Sequence, residues 1–354
     1  RGEIAIPYAF FMQDYFPFFA TLLQELGFKV VLSFPTTKEI IQAGVETVLA
    51  ETCYPVKVAH GHTAFLFNNG HKHIFFPNVI DLPSRHPSCD WGMVCPYVQG
   101  LPYMLASAFD FKKRGIDFIH PVIYLGRGDW YYRQSVKNLS KSLKVSKYAV
   151  EKAWKKAKAA QEEFESSLQE KAKEILAALK PDEIAIVIVG RAYNSFDSGV
   201  NLRIPQKLAH RGVSVIPLDA LPLKTARLSN VWQNMYWRYG QHILCAAALV
   251  REHPQLYPVY ITNFACGPDS FILHFFKEEL GKKPFLEIEI DEHSADAGII
   301  TRLEAFLDSI KGKKITATPP KRYFVFKKHY RDSYVYIPYM CDHCYALAAV
   351  FEGC

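Results

Sequence analysis

Residues Glu183 to Gly190 read Glu-Ile-Ala-Ile-Val-Ile-Val-Gly, an apolar and mostly β-branched run closed by glycine. A run that does not alternate polar with apolar suits a strand buried inside a parallel sheet. Arg191 leads on to a loop and a helix near Ile204 to His210, then strand Val213–Pro217, helix Trp232–Val250 and strand Pro258–Thr262. The segments Phe271–Leu280, Phe285–Glu289 and Gly298–Ile310 complete this unit. The N-terminal part has the same rhythm: strand Glu3–Pro7, helix Asp14–Leu26 closed by Gly27, strand Lys29–Ser33, and a short helix capped by Thr36 or Thr37 and ending near Gly44. Helix Pro55–Asn68, strand His73–Pro77 and a loop from Asn78 to Val94 follow. Strand-helix alternation of this kind predicts an α/β fold with parallel sheets.

After Phe118-Ile119-His120 the periodicity turns helical. Val145 to Leu179 carries Val150, Trp154, Ala157, Phe164, Leu168 and Ile175 on one stripe, as one long amphipathic helix or two in tandem, a spacer or brace between units. The expected organisation is a first α/β domain over 1–125, a helical connector over 126–180, a second α/β domain over 181–312, a basic linker over 313–333, and the start of a further strand-helix unit over 334–354. A chain of 354 residues with 49% hydrophobic side chains can bury two such cores. Arg1-Gly2 opens without Met, so the chain is expected to be a fragment or processed piece of a longer protein.

Three distant segments repeat one local pattern: Glu51-Thr52-Cys53-Tyr54-Pro55, Val94-Cys95-Pro96-Tyr97 and Ala265-Cys266-Gly267-Pro268-Asp269. In each, a cysteine stands one or two residues before a proline that opens a helical segment. Proline is favoured there because its missing N–H would be unpaired anyway, so the cysteines fall at or beside helix N-caps. Free N–H groups and the helix dipole at such places stabilise anions and lower a thiol's pKa. Both halves are expected to deliver such a cap after a buried strand, toward one shared ligand. Zinc usually recruits a local pair, which these cysteines lack, whereas iron–sulfur clusters take thiolates from separate loops. Three thiolates on a four-iron cluster leave one iron open.

The eight cysteines are too sparse for a disulfide scaffold and suit a reducing, cytoplasmic setting. Cys245 lies in an apolar helix and reads as structural. Cys89 is a bystander or an additional ligand. Cys341-Asp342-His343-Cys344 is a C-x-x-C at a helix start, so Cys341 is a further possible contributor. No apolar run is long enough to span a membrane and no signal peptide is evident. The net charge of +7 comes largely from Lys141–Lys180 and Lys311–Lys328, where solvated helix faces and a linker explain it without nucleic acid.

The stretch from Glu51 to His62, Cys95-Pro96-Tyr97, the run Asn263 to Phe271 containing Cys-Gly-Pro-Asp-Ser-Phe, and Asp291-Glu292-His293-Ser294-Ala295-Asp296-Ala297-Gly298 resemble the acyl-CoA dehydratase activase-related proteins of the 2-hydroxyglutaryl-CoA dehydratase superfamily. The likeness runs from about residue 2 to residue 350, and points to the dehydratase-like domain of the long activases, related to double-cubane cluster proteins of anaerobic metabolism. The resemblance implies two Rossmann-like (flavodoxin-like) parallel-sheet domains joined by a long helical segment, with the iron–sulfur site between them. It makes Cys53, Cys95 and Cys266 ligands of a 4Fe-4S cluster, or of an 8Fe-9S double cubane if further cysteines contribute. An actin/Hsp70-type ATPase domain or subunit would supply low-potential electrons, a CoA thioester or other small molecule would be the substrate, and the chain would act as a dimer or as part of a larger chain. No phosphate-cradling Gly-rich loop occurs in this sequence, so ATP hydrolysis falls to that partner, with Lys311–Lys328 as a contact surface.

Around the cysteines, Lys57 is either an offset for cluster charge or a surface lysine. His60 is expected to reach the site and His62 to point elsewhere. Asp269 fits dipole compensation in its helix. Arg191, Asn194 and Asn201 follow a strand end where a ligand would sit, and Asp291, Glu292, His293 and Asp296 suggest a polar network or proton path. His60, Arg191 and Asn201 are the catalytic candidates. Two classes of function stand: a redox enzyme component that reduces a substrate at an open iron, and a non-catalytic domain whose cluster relays electrons or stabilises the fold. Polar lining by the catalytic candidates favours the first, and sealing under Phe and Tyr the second.

Overall fold

The computed structural model describes residues 1–33, 35–228, 232, 234–312, 334–339 and 341–353. In chain order it contains β1 (Glu3–Ile6), α1 (Met12–Glu25), β2 (Lys29–Leu32), α2 (Lys38–Thr47), α3 (Tyr54–Asn68), β3 (His73–Phe75), β4 (Asn78–Asp81), α4 (Pro96–Phe109), β5 (Asp117–Ile119) and β6 (Val122–Tyr124). Then come α5 (Asp129–Leu143), α6 (Lys147–Ala178), β7 (Ala185–Val189), α7 (Ala192–Phe196), α8 (Ile204–Ala209), β8 (Ser214–Pro217), α9 (Arg238–Glu252), β9 (Leu256–Asn263), α10 (Gly267–Leu280), β10 (Leu286–Ile290), α11 (Asp296–Ile310) and α12 (His343–Glu352). Arg1–Lys321 is one compact unit and Arg322–Cys354 a second.

The fold is mixed α/β with parallel sheets. One sheet has the order β2-β1-β3-β5 and the other β8-β7-β9-β10, so in each the first strand lies between the second and third. Every residue of β7 and β9 is buried, as unbroken apolar runs in a parallel sheet require. A two-stranded piece pairs β4 with β6. It continues the β3–β5 ladder, since the Phe76 N–H donates to the Ile119 carbonyl at 3.0 Å and the Asn78 N–H to the Pro121 carbonyl at 2.9 Å. Pro77 and Pro121 lack the N–H that would keep each strand whole. The loop expected from Asn78 and the helical stretch expected after His120 therefore each open with a short strand. The helix expected from Trp232 starts only at Arg238. Tyr334–Tyr339, expected as strand, has no regular secondary structure, and α12 follows it. The linker expected over 313–333, and with it most of the Lys311–Lys328 surface, lies outside the described residues.

Helix α3 decides how the two sheets are joined. Twelve of its fifteen residues are buried, the mark of a helix with neighbours on every side. Val56, Ala59 and Leu66 belong to the core of the first sheet. Tyr54 and Val58 belong instead to a core with Ile186, Ile188, Val259 and Ile261 of the second sheet. Each large side chain so buried contributes about 1.5–3 kcal/mol. In return, Tyr193 of α7 packs into the first core, edge-on to Phe10 at 5.3 Å. The 32 residues of α6, about 48 Å of helix, brace both: Val150 and Trp154 lie on the first core, Ala172 and Ile175 on that of the second sheet's other face.

A third neighbour of α3 is α2, and the two approach through glycines. A Cβ on Gly44 would stand 1.9 Å from the Lys57 carbonyl oxygen, and one on Gly61 1.8 Å from that of Ile40. Backbone thus packs on backbone, and a methyl group can be admitted only by separating the helices.

One polar side chain of α3 is paired on both sides. His62 lies between Ser33 Oγ, 2.7 Å from Nδ1, and Thr36 Oγ1, 2.8 Å from Nε2. Thr36 spends its one hydroxyl proton on Asp197 Oδ2 at 2.5 Å, so Nε2–H donates to Thr36 and Nδ1 accepts from Ser33. That arrangement needs the neutral ring, and burial pushes the His62 pKa down to about 3. Burial also lowers His60 to about 4 and His242 to about 3, the latter helped by Arg238.

Gly44→Ala and Gly61→Ala are each expected to cost about 1–3 kcal/mol or more through overpacking, read as a lowered urea midpoint with an unchanged slope. For pH, the depressed histidines contribute stability that is full above the unfolded pKa of about 6.5 and lost as pH falls toward their folded values. At pH 5 each should cost about 2 kcal/mol. Asp14, raised to about 6 by burial, works in the opposite sense, its contribution being lost as pH rises through about 6. Burial also raises Asp81 and Asp197 and lowers His120 and His253, so five histidines stand against three carboxyls, denaturation midpoints should fall between pH 7.5 and pH 5, and a flat profile would contradict this balance.

Candidate functional site: three helix N-terminal thiols

Cys53, Cys95 and Cys266 are the N-cap residues of α3, α4 and α10. Proline takes the first helical position after Cys95 and the second after Cys53 and Cys266. In each case the backbone N–H of the third helical residue, Val56, Val98 or Asp269, favours a negative charge on the sulfur, although none forms a full side-chain cap hydrogen bond. Only Cys266 follows a strand directly, three residues beyond β9; Cys53 follows α2, which corrects the expectation of a matched strand-to-cap junction in both halves. Ala265, just before Cys266, is left-handed at φ 60°, a strained conformation for a residue with a Cβ. It turns the chain sharply from β9 into α10.

The three thiols share one neighbourhood. The charge of Cys53 feels both Cys95 and Cys266, and Tyr193 feels all three. Burial dominates their acidity, pushing Cys53 up to about 12 and raising Cys95 and Cys266 as well. The lowered pKa expected from helix N-termini alone is thus reversed, because desolvation of a thiolate exceeds what the first-turn N–H groups return. Among the described residues, no group of three or more His, Cys, Asp or Glu side chains is arranged around a point that could hold a single metal ion.

Arg191, the last residue before α7, is buried against the site. Its Nη1 donates to Cys266 Sγ at 2.6 Å, and its Nη2 donates to Asn263 Oδ1 at 3.0 Å and pairs with Asp269 Oδ2 at 2.7 Å. The guanidinium also lies over the Tyr193 ring, 5.2 Å from its centroid. Asp269 is held in turn by Thr262 Oγ1 at 2.6 Å and by the Tyr260 hydroxyl at 3.4 Å. Dipole compensation alone was the expected role for Asp269; its carboxylate is instead the counter-charge of Arg191.

Lys57 is no surface lysine. It is buried, with Nζ 2.6 Å from Glu51 and 2.5 Å from Glu292, and so ties α3 to the loop after β10. The remaining acidic positions of that loop have local work. Asp291 Oδ1 accepts from the Ser294 hydroxyl and the His293 N–H, and Asp296 pairs with Lys207 at 3.1 Å. His60 lies seven residues along α3 from Cys53, two turns or about 10 Å, against the Phe109 ring, with no formed hydrogen bond at either ring nitrogen. Asn201 donates to the Asn194 and Ser195 carbonyls, and Asn194 to the Ile261 carbonyl, so both fasten the α7 turn. Of the three catalytic candidates, then, only Arg191 touches a thiol.

Cys245 is fully buried in α9, and Cys89 lies close enough to act on its charge, with Sγ 3.7 Å from the Trp232 carbonyl. Cys341, in the second compact unit, is exposed, with Sγ 3.5 Å from His343 Nδ1. Tyr193 was not singled out from the sequence. Its only signal there is its place two residues past Arg191 at a buried strand's end. Exposed Phe264 and Phe271 flank Cys266, and exposed Tyr97 stands two residues past Cys95.

Among the described residues no helix is long and apolar enough to cross a membrane. No curated protein matches the chain. Residues 3–221, which include Cys53, Cys95, Arg191 and Tyr193 but not Cys266, match the family described as CoA enzyme activase uncharacterised domain (DUF2229). That match spans more than half of the chain, and the protein belongs to this family of CoA enzyme activase domains.

Proposed function

We propose that this chain is the iron–sulfur redox component of a 2-hydroxyacyl-CoA dehydratase/activase system, built from two Rossmann-like halves with the cluster between them. The observation that carries the reading is that three helix N-terminal thiols lie near enough to act on one another's charge and on Tyr193, with Arg191 hydrogen-bonded to one of them. The donor set fits such a group. The thiols, buried at Cys53 and half-buried at Cys95 and Cys266 and held neutral by desolvation, become thiolates when iron supplies positive charge, and the N–H groups of Val56, Val98 and Asp269 then favour the anionic sulfur. A single ion gathers its ligands at about 2.3 Å from one point, whereas a cluster spreads its thiolates over separate irons. When bound, the cluster supplies one-electron chemistry.

The chain's own residues do the rest. Cys53, Cys95 and Cys266 bind, Arg191 donates to Cys266, and Tyr193 limits water on the inner side. An actin/Hsp70-type ATPase partner would deliver ATP-energised electrons for reduction of a CoA thioester or other small substrate. A second reading, a non-catalytic domain that relays electrons within a larger activase, draws support from the lining. Of the three catalytic candidates only Arg191 contacts a thiol, while His60 packs on the Phe109 ring and Asn201 is committed to the α7 turn.

Anaerobic reconstitution with ferrous iron and sulfide should give about four irons per chain and a broad visible absorbance, or about eight irons with nine sulfides if Cys89, Cys341 or a partner contributes. Cys53→Ser, Cys95→Ser and Cys266→Ser should each lose or degrade the cluster. Cys245→Ser should keep it and cost about 1–3 kcal/mol of stability for an unpaired buried hydroxyl. Stoichiometric zinc with no visible absorbance, or equal cluster loss in all four variants, would sink the reading.

A further inference from the structure

Arg191 and Asp269 form a buried ion pair whose geometry does more than join two elements. The guanidinium has its Nη2 committed to Asn263 and Asp269 and its Nη1 to Cys266 Sγ. Its position is fixed from both sides, by the Tyr193 ring and by an Asp269 carboxylate that Thr262 and Tyr260 hold in place. The positive charge reaches all three thiols, and the charge of Asp269 reaches Cys95 and Cys266 with the opposite sign. The nearby cation of α3, Lys57, is likewise offset by Glu51 and Glu292. Each buried cation near the N-terminal thiols is therefore matched by carboxylate, while one hydrogen bond is still aimed at sulfur.

This deepens the proposed function and rests on it: we infer that Asp269 is a positioning and charge-compensating residue that holds the bound cluster at low reduction potential by cancelling the charge of Arg191, while Arg191 keeps Cys266 oriented through its Nη1–H···Sγ bond. Reduction adds one electron, and so one negative charge, with no bond made or broken. An uncompensated guanidinium beside Cys266 would make that addition easier in a buried setting, where charges are weakly screened. Paired with Asp269 it gives direction without net charge. A cluster so surrounded is harder to reduce than one beside an unpaired guanidinium, and its one-electron donor must be of correspondingly lower potential.

The test uses the full chain reconstituted anaerobically with ferrous iron and sulfide, followed by a redox titration with a strong one-electron reductant and read by EPR and visible absorbance. Asp269→Asn should titrate at a more positive potential than the wild type, and Arg191→Gln at a more negative one. The double variant Arg191→Gln/Asp269→Asn removes both charges and should return most of the way to the wild-type potential. Arg191→Lys should hold the potential closer to wild type than Arg191→Gln while altering the EPR line shape, because a point charge replaces the planar fork. Shifts of opposite sign that cancel in the double variant are not produced by a merely structural pair. Unchanged potentials in variants of wild-type iron content would overturn the inference, as would cluster loss from the double variant along with both single ones. A wild-type chain that takes up no iron and sulfide would instead overturn the proposed function, before any variant is compared.

Discussion

The structure depends on burying α3 from all sides. A helix with polar residues on one face can rest on a single sheet, but Tyr54 and Val58 leave α3 apolar on the side away from its own core, and the second sheet covers them. Gly44 and Gly61 then admit α2 at backbone contact on a third side. Those three contacts fix the axis of α3, and with it the place of Cys53 at its first turn. Loosening any of them would move a thiol relative to Arg191 and Tyr193, which stand on the second half of the chain.

A second constraint is electrostatic. Three helix N-termini directed at one neighbourhood each carry about half a unit of positive charge, so the site favours an anion even though its formal charges are matched. Desolvation opposes this by raising the thiol pKa values, most clearly at Cys53. Desolvation favours neutral thiols, and the anionic form becomes favourable when a ligand brings its own positive charge. Sulfur bound to iron meets that condition, and the first-turn N–H groups then act on a thiolate.

Local signals in the sequence were enough to place all three cysteines at helix N-caps, because Cys-Pro and Cys-x-Pro steps report on the next two residues of backbone. The alternation that produced both parallel sheets was equally plain in runs such as Ala185–Val189. β4 and β6 were hidden because strands of three or four residues behind a proline have no period to read. The partners of Lys57 and Asp269 were hidden for another reason: Glu292 lies 235 positions from Lys57, and Arg191 and Asp269 follow the carboxyl ends of β7 and β9, strands far apart in sequence that pair only in the fold. The direction of the thiol pKa shifts was also out of reach, since a dipole is visible in a local motif and burial is not. His60 was misplaced by helical spacing alone. Seven residues bring it to the same side as Cys53, yet two turns deeper.

What the pairing of charges accomplishes follows from distance. A formal charge on a flexible surface side chain would act on the thiols through solvent and be screened within about 8–10 Å. Arg191 and Asp269 are both buried; Asn263 and the Tyr193 ring hold the guanidinium, and Thr262 and Tyr260 hold the carboxylate. Removing either partner would strand the other charge in the interior, which costs about 3–5 kcal/mol for a buried pair. The pair is consequently a poor source of stability relative to apolar residues of the same size, and an effective source of direction, because it aims one guanidinium N–H at Cys266 with no net charge added. Lys57 repeats the design with two carboxylates in place of one, at the first turn of α3. Helix dipoles, which cannot be neutralised by a rotamer change, are left as the main fixed attraction for whatever anion the three thiols help to form.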